Sequence, residues 1–149
     1  MRINNIYIEN ALCNIKLLAD EHMYVQEWID ILKKEGYMIN QYASEILYEI
    51  GGLHFKGKSI SSGIVLELNF NPIYYASGEI DRMQIYNTCS QDILFPIGGM
   101  YDYTIYIGVK GEVYIADWKN LYKCGDDFEK FINNVCANNP QLIELYNGK

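Results

Sequence analysis

Tyr103 to Ala116 reads YTIYIGVKGEVYIA, and the reading of this stretch decides the fold. Tyr103, Ile105, Ile107 and Val109 alternate with Thr104, Tyr106 and Gly108, the period of a strand whose successive side chains point to opposite faces. Val113 and Ile115 take up the alternation again, so Lys110-Gly111 is predicted to be the tight connection of an antiparallel hairpin. A hairpin cannot stand alone in water and needs further strands or helices on its apolar face.

The flanking segments supply both. Upstream, Ile64, Leu66, Leu68 and Phe70 alternate until Pro72 ends the run, a second strand signal. Between it and the hairpin, Ser77 or Gly78 opens a weaker helix through Ile80 and Met83 toward Ser90, and Phe95-Pro96-Ile97-Gly98 reads as extended with a turn. Further upstream the period changes to that of a helix. Val25, Trp28, Ile29 and Leu32 fall at i, i+3, i+4 and i+7 before Gly36, and Ala43, Ile46, Leu47 and Ile50 repeat the spacing between an Asn40 cap and Gly51. Ile8, Ala11, Leu12 and Ile15 allow an N-terminal helix, while Ile6 and Ile8 could equally alternate in a short strand. Downstream of the hairpin, Asp126 and Glu129 read as a capping box for a helix carrying Phe128, Phe131, Ile132 and Val135, and Asn139-Pro140 as the start of a short terminal helix. The expected class is α+β, a mostly antiparallel central sheet with helices packed on it.

The chain has 149 residues, and at that length a single domain over 1–149 can bury roughly 70% of its unfolded surface without disulfides. Cys13, Cys89, Cys124 and Cys136 form no CxxC pair and read as buried or half-buried free thiols. Met1 to Asn10 has no apolar run of signal-peptide length, and no stretch approaches the ~20 apolar residues of a membrane span, so a cytoplasmic protein is expected. Twelve basic residues against 19 acidic ones leave a net charge of −7, which excludes a generic nucleic-acid binder. The acidic pairs Asp20/Glu21, Glu79/Asp81 and Asp126/Asp127 each lie where a helix is expected to begin, a placement the macrodipole favours. The excess remains as a long-range field that attracts basic partners.

One motif matches and misleads. Gly52 to Ser59 reads GLHFKGKS and satisfies the phosphate-loop pattern, with Val113 to Asp117 resembling the strand and Asp that hold magnesium. Such a loop needs a strand before it and a helix after it, so that backbone N–H groups converge on the phosphates. Here a helix precedes and a strand follows, and His54 and Phe55 are bulky where the loop must wrap tightly. A nucleotide-binding enzyme using Gly52–Ser59 is therefore only a remote alternative. His22 and His54 lack ligand spacing, and Ser59, Ser61 and Ser62 sit in an expected loop without a nucleophile elbow, so neither metal nor hydrolase chemistry is supported. Of the 14 tyrosines, Tyr74, Tyr75, Tyr86, Tyr101, Tyr103, Tyr106, Tyr114 and Tyr122 concentrate in the second half. Some must be core, and those that reach solvent offer large contact area at low entropy cost.

The order of short motifs is similar to a known family. A Trp-bearing helix ending in Gly-Tyr (Trp28 to Tyr37) is followed by a helix running into Gly-Gly-Leu (Ile46 to Leu53). Then come a strand ending in Phe-Asn-Pro (Phe70 to Pro72), a helix, Phe-Pro-Ile-Gly (Phe95 to Gly98), a hairpin turn with Gly-Glu-Val-Tyr (Gly111 to Tyr114), Trp118 and a closing helix. Over Met23 to Val135 this resembles the SUKH superfamily of SMI/KNR-like proteins, most closely its third subgroup of bacterial immunity proteins. At the hairpin turn the family commonly has an acidic residue where this chain has Lys110. The resemblance implies a SUKH-like α+β fold, no catalysis, no cofactor and no metal, and a cytoplasmic antidote that binds a cognate polymorphic toxin, often a nuclease or nucleic-acid deaminase. A regulatory or scaffold interaction module without a toxin partner is the alternative. Glu79, Asp81, Tyr101, Tyr103, Asp117 and Trp118, acidic and aromatic residues around the sheet, are the candidate partner-binding residues, and their partner is expected to be a basic protein.

Overall fold

The computed structural model describes residues 3–138 and 141–148. Eight antiparallel strands form one sheet whose spatial order is the chain order, β1 (Leu12–Asp20), β2 (Leu53–Ser59), β3 (Val65–Asn69), β4 (Phe95–Met100), β5 (Tyr103–Ile107), β6 (Val113–Ala116), β7 (Asn120–Gly125) and β8 (Ile143–Asn147). Six helices accompany it: α1 (Ile6–Ala11), α2 (Val25–Glu35), α3 (Gln41–Ile50), α4 (Pro72–Ala76), α5 (Met83–Ser90) and α6 (Phe128–Cys136). The expected α+β class is the observed one.

The two strongest helix readings hold to the residue. In α2 the stripe Val25, Trp28, Ile29 and Leu32 is buried. Gly36 ends the helix in the left-handed conformation, and the Tyr37 N–H then donates back to the Leu32 carbonyl at 3.0 Å. In α3 the buried stripe is Ala43, Ile46, Leu47 and Ile50, and the Asn40 side chain accepts from the Ala43 N–H at 2.9 Å. In α6 the cap is Asp127, whose carboxylate accepts the Lys130 N–H at 2.8 Å. The expected cap Asp126 instead pairs with Lys123 at 3.2 Å and with Lys130 at 3.7 Å.

Other expectations are corrected. The N-terminal apolar positions split between two elements. Asn5 caps α1, the helix stops at Ala11, and Leu12 turns extended to pair with Ser59, so Leu12 and Ile15 lie in β1. Leu53–Ser59 is not a phosphate loop but β2, with Leu53, Phe55, Gly57 and Ser59 facing inward, and of the three serines expected in a loop Ser59 ends the strand while Ser61 and Ser62 lie in the turn after it. Pro72 does more than end β3: preceded by the Asn71 cap, it opens α4 at the one position where a missing N–H costs nothing. The hairpin connection is longer than two residues. It runs from Gly108 to Glu112, with Gly108 N–H on the Glu112 carbonyl at 2.9 Å, and leaves Val109 exposed outside the strand. Ile143–Asn147 is strand β8, paired with β7, where a terminal helix was expected; the start of that expected helix, Asn139-Pro140, lies outside the described residues. Cys13 is exposed, whereas Cys124 and Cys136 are buried and their burial pushes both thiols up.

The core lies on both sides of the sheet. α6 covers one face, where Phe55, Phe70, Phe128 and Phe131 form a chain of rings with centroids 6.0 to 6.2 Å apart. Each such burial contributes roughly 1.5–3 kcal/mol. The other face, carrying Thr104, Tyr106 and Ala116, is approached by α4 and α5, the excursion between β3 and β4. β3 and β4 share only one register pair, Asn69 with Gly99. Gly98, at φ +153°, lets the two backbones come that close, since a Cβ there would strike the Asn69 carbonyl.

Candidate functional site

The β4–β5 turn, the β6–β7 turn and the α4–α5 excursion converge on a cleft of about 320 Å³. Its floor is the sheet: Thr104 and Ala116 are register partners on β5 and β6, and Tyr106 follows Thr104 on the same face. The α5 wall is Tyr86, whose ring meets Tyr106 edge-on at 6.2 Å and whose hydroxyl donates to the Asp117 carbonyl at 2.8 Å. The α4 wall is Tyr75, whose ring fills the space over Gly99 and meets Tyr74 edge-on at 5.0 Å. Burial pushes the Tyr75, Tyr86 and Tyr106 phenols up, so all three stay neutral donors at ordinary pH.

Tyr74, Tyr101 and Trp118 stand out at the rim, 75%, 61% and 69% exposed. Tyr101 is held at φ +56°, a left-handed backbone that an L side chain other than Asn or Asp rarely takes. Charge is distributed unevenly. Arg82 is held by Glu79 at 2.8 Å, and that carboxylate keeps the guanidinium firmly charged despite partial burial. Asp117 Oδ1 accepts the Lys119 and Asn120 N–H groups at 2.8 and 2.6 Å, closing the β6–β7 turn. Asp102 faces the cleft with no ion pair among the described residues. Lys119 Nζ lies 4.3 Å from the Trp118 ring centroid.

Of the six residues nominated from sequence, Glu79, Tyr101, Asp117 and Trp118 line this cleft. Asp81 is exposed in the short 3-10 turn after Glu79 and does not line it. Tyr103 points to the other face, where its ring meets Tyr122 at 6.4 Å and lines an apolar groove of about 240 Å³ with Ile115 and Phe131. Tyr101 stands at the rim of both. Sequence reasoning missed Asp102, Arg82 and the role of Tyr74 and Tyr75 as one wall.

The chemistry weighed in the sequence resolves into structural roles. His22 Nδ1 sits 2.7 Å from the Gly51 carbonyl, and His54 Nε2 sits 2.7 Å from Glu67. Ser59 is buried and its hydroxyl donates to the Cys136 carbonyl at 2.7 Å. Gly52 takes φ +83° because its backbone is clasped between Glu21 and Phe70, with Gly52 N–H on the Phe70 carbonyl and Glu21 N–H on the Gly52 carbonyl, both at 2.7 Å. Lys58 points outward from β2, so no cradle of N–H groups forms around it.

A family model described as SUKH-3 immunity protein matches residues 19–138. The chain belongs to the SUKH-3 immunity protein family. Among curated proteins and among solved structures nothing matches. The match to the SUKH-3 family spans the chain from the last residues of β1 through α6, and therefore contains every residue that lines the cleft. It leaves outside most of β1 and all of α1 and β8, so the SUKH-3 portion carries the cleft while the flanking strands extend the sheet. No helix of the SUKH-3 protein is long and apolar enough, among the described residues, to cross a membrane.

Proposed function

We propose that this SUKH-3 protein is a non-catalytic antidote that binds a cognate bacterial toxin in the cytoplasm and neutralises it by occlusion. The aromatic cleft is the contact surface in this reading. The observation that carries it is the rim: Tyr74, Tyr101 and Trp118 are exposed together around a cleft with carboxylates inside. Exposed large aromatics cost solubility and are the residue types that dominate interface energetics. Glu79, Asp117, Tyr101 and Trp118 act from the cleft and Asp81 from the turn beside it. Tyr103, on the opposite face, has no part in this contact.

A toxin that acts on nucleic acid, a nuclease or a deaminase, is the partner class that fits an antidote of net charge −7, because such enzymes carry basic surfaces for phosphate. The test is co-expression with the toxin-like product of the neighbouring reading frame, followed by capture of the complex. Rescue of growth and stoichiometric capture are expected. Tyr101→Ala with Trp118→Ala is expected to weaken capture by about 2 kcal/mol or more. Asp81→Lys with Asp102→Lys should slow association and flatten its salt dependence. Capture and rescue that ignore all four substitutions would move the interface elsewhere on the molecule.

A further inference from the structure

The cleft holds three carboxylates, those of Glu79, Asp102 and Asp117, and one guanidinium, that of Arg82. Arg82 pairs through Nε with Glu79 at 2.8 Å and also hydrogen-bonds Tyr86. Asp117 uses one oxygen on its own turn, and Asp102 has no ion pair among the described residues. Two negative charges thus stay uncompensated in a concavity walled by tyrosines and Trp118. An anionic ligand meets repulsion there, and a neutral apolar one leaves the carboxylates stripped of water without a partner. A flat cation satisfies both features, since its faces lie on aromatic rings and its edge N–H groups reach carboxylates. Trp118 already takes a cation over its ring, Lys119 Nζ at 4.3 Å from the centroid.

We infer that the cleft is a receptor for a single arginine side chain presented by the partner protein, stacked between the rim aromatics and forked onto Asp102 and the free oxygen of Asp117. Arginine is preferred to lysine because the guanidinium is planar, less strongly hydrated and presents paired donors. At about 320 Å³ the cleft is at the small end of ligand sites, room for one extended side chain rather than a helix or strand. The inference rests on the antidote reading for the identity of the partner, but not for the chemistry of the receptor.

The experiment uses the full chain with Trp28→Phe, which leaves Trp118 as the only indole, and titrates it with N-acetyl-arginine amide while emission is recorded. The neutral isostere N-acetyl-citrulline amide and N-acetyl-lysine amide are controls. Expected is a saturable change with the arginine compound, at least tenfold weaker with either control. Asp102→Asn with Asp117→Asn, which keeps the turn acceptor at 117, should weaken arginine binding at least tenfold while the melting temperature is held. Citrulline or lysine binding as well as arginine, or the double variant binding arginine unchanged, overturns the inference. If the toxin is captured equally by the double variant, the receptor is not used in the complex and the inference falls while the antidote reading stands. If arginine binds as expected and no toxin is captured, the antidote reading falls and the receptor stands.

Discussion

The Tyr75 ring lies directly on Gly99, filling the space a Cβ would need. One residue thus shapes the cleft from beneath: β4 is bare at 99, and the α4 tyrosine comes down into that space. Gly99→Ala is expected to lift Tyr75 out of the wall at a cost of about 1–3 kcal/mol, the usual range for overpacking. Tyr75→Ala in the same chain should recover much of that loss, which a double-mutant cycle by urea unfolding measures. Partner capture should fall in both, because the wall is gone in each.

Tyr101 pays a conformational penalty for its place at the rim. At φ +56° asparagine is easier than tyrosine, so Tyr101→Asn should leave the protein as stable or raise stability by about 0.5–1 kcal/mol. The same substitution should weaken toxin capture. A stabilised variant with unchanged capture would show that the exposed ring is idle.

Gly52 and Lys58 separate the phosphate-loop pattern from the fold. Gly52→Ala forces a side chain into a left-handed position and into the Glu21–His22 backbone, and is expected to cost about 2–4 kcal/mol. Lys58→Ala, on the exposed side of β2, should change stability by less than about 0.5 kcal/mol. Magnesium and a nucleoside triphosphate should leave the melting temperature of the parent chain unmoved.

The pH dependence has a defined sign at Glu67. The hydrogen bond from His54, reinforced by Lys56, holds its carboxyl below the ordinary 4.5. A depressed carboxyl stabilises the fold above its unfolded value and loses that contribution as pH falls through the folded one. Glu67→Gln should therefore be less stable than the parent near neutrality, by under about 1 kcal/mol for so exposed a group, and the gap should close in acid below pH 4.5. Urea unfolding at a series of pH values reads it.

The helices were legible in the sequence because α2, α3 and α6 each bury one full stripe, so the spacing of Trp28, Ile46 or Phe131 carries the answer locally. β1, β7 and β8 were not, and their burial patterns say why. β1 and β8 are the sheet edges, with Lys16, Leu18, Ile143 and Glu144 exposed, and β7 has half-buried Tyr122 and Lys123 side by side. Alternation is visible where one face is buried and the other solvated, and these strands bury too little of either face to show that contrast. The cleft was legible only in kind, as acidic and aromatic residues, because its walls lie far apart in the chain and meet through the sheet. Tyr101 and Tyr103, two apart and alike in type, part company because the left-handed turn at Tyr101 sends it to the rim and the strand sends Tyr103 to the opposite face.

Because sheet order follows chain order, the excursion from 71 to 93 leaves and re-enters between neighbouring strands that touch through a single register pair. It behaves as a cassette: one contiguous segment supplies both helical walls of the cleft, while the floor belongs to strands that meet it at Gly99, Tyr106 and Asp117. Recognition is then open to reprogramming by transplanting one segment of the chain, provided that the Gly98-Gly99 seam, the Tyr86 contacts to Tyr106 and Asp117, and the Tyr37 bond to the Ala76 carbonyl are matched.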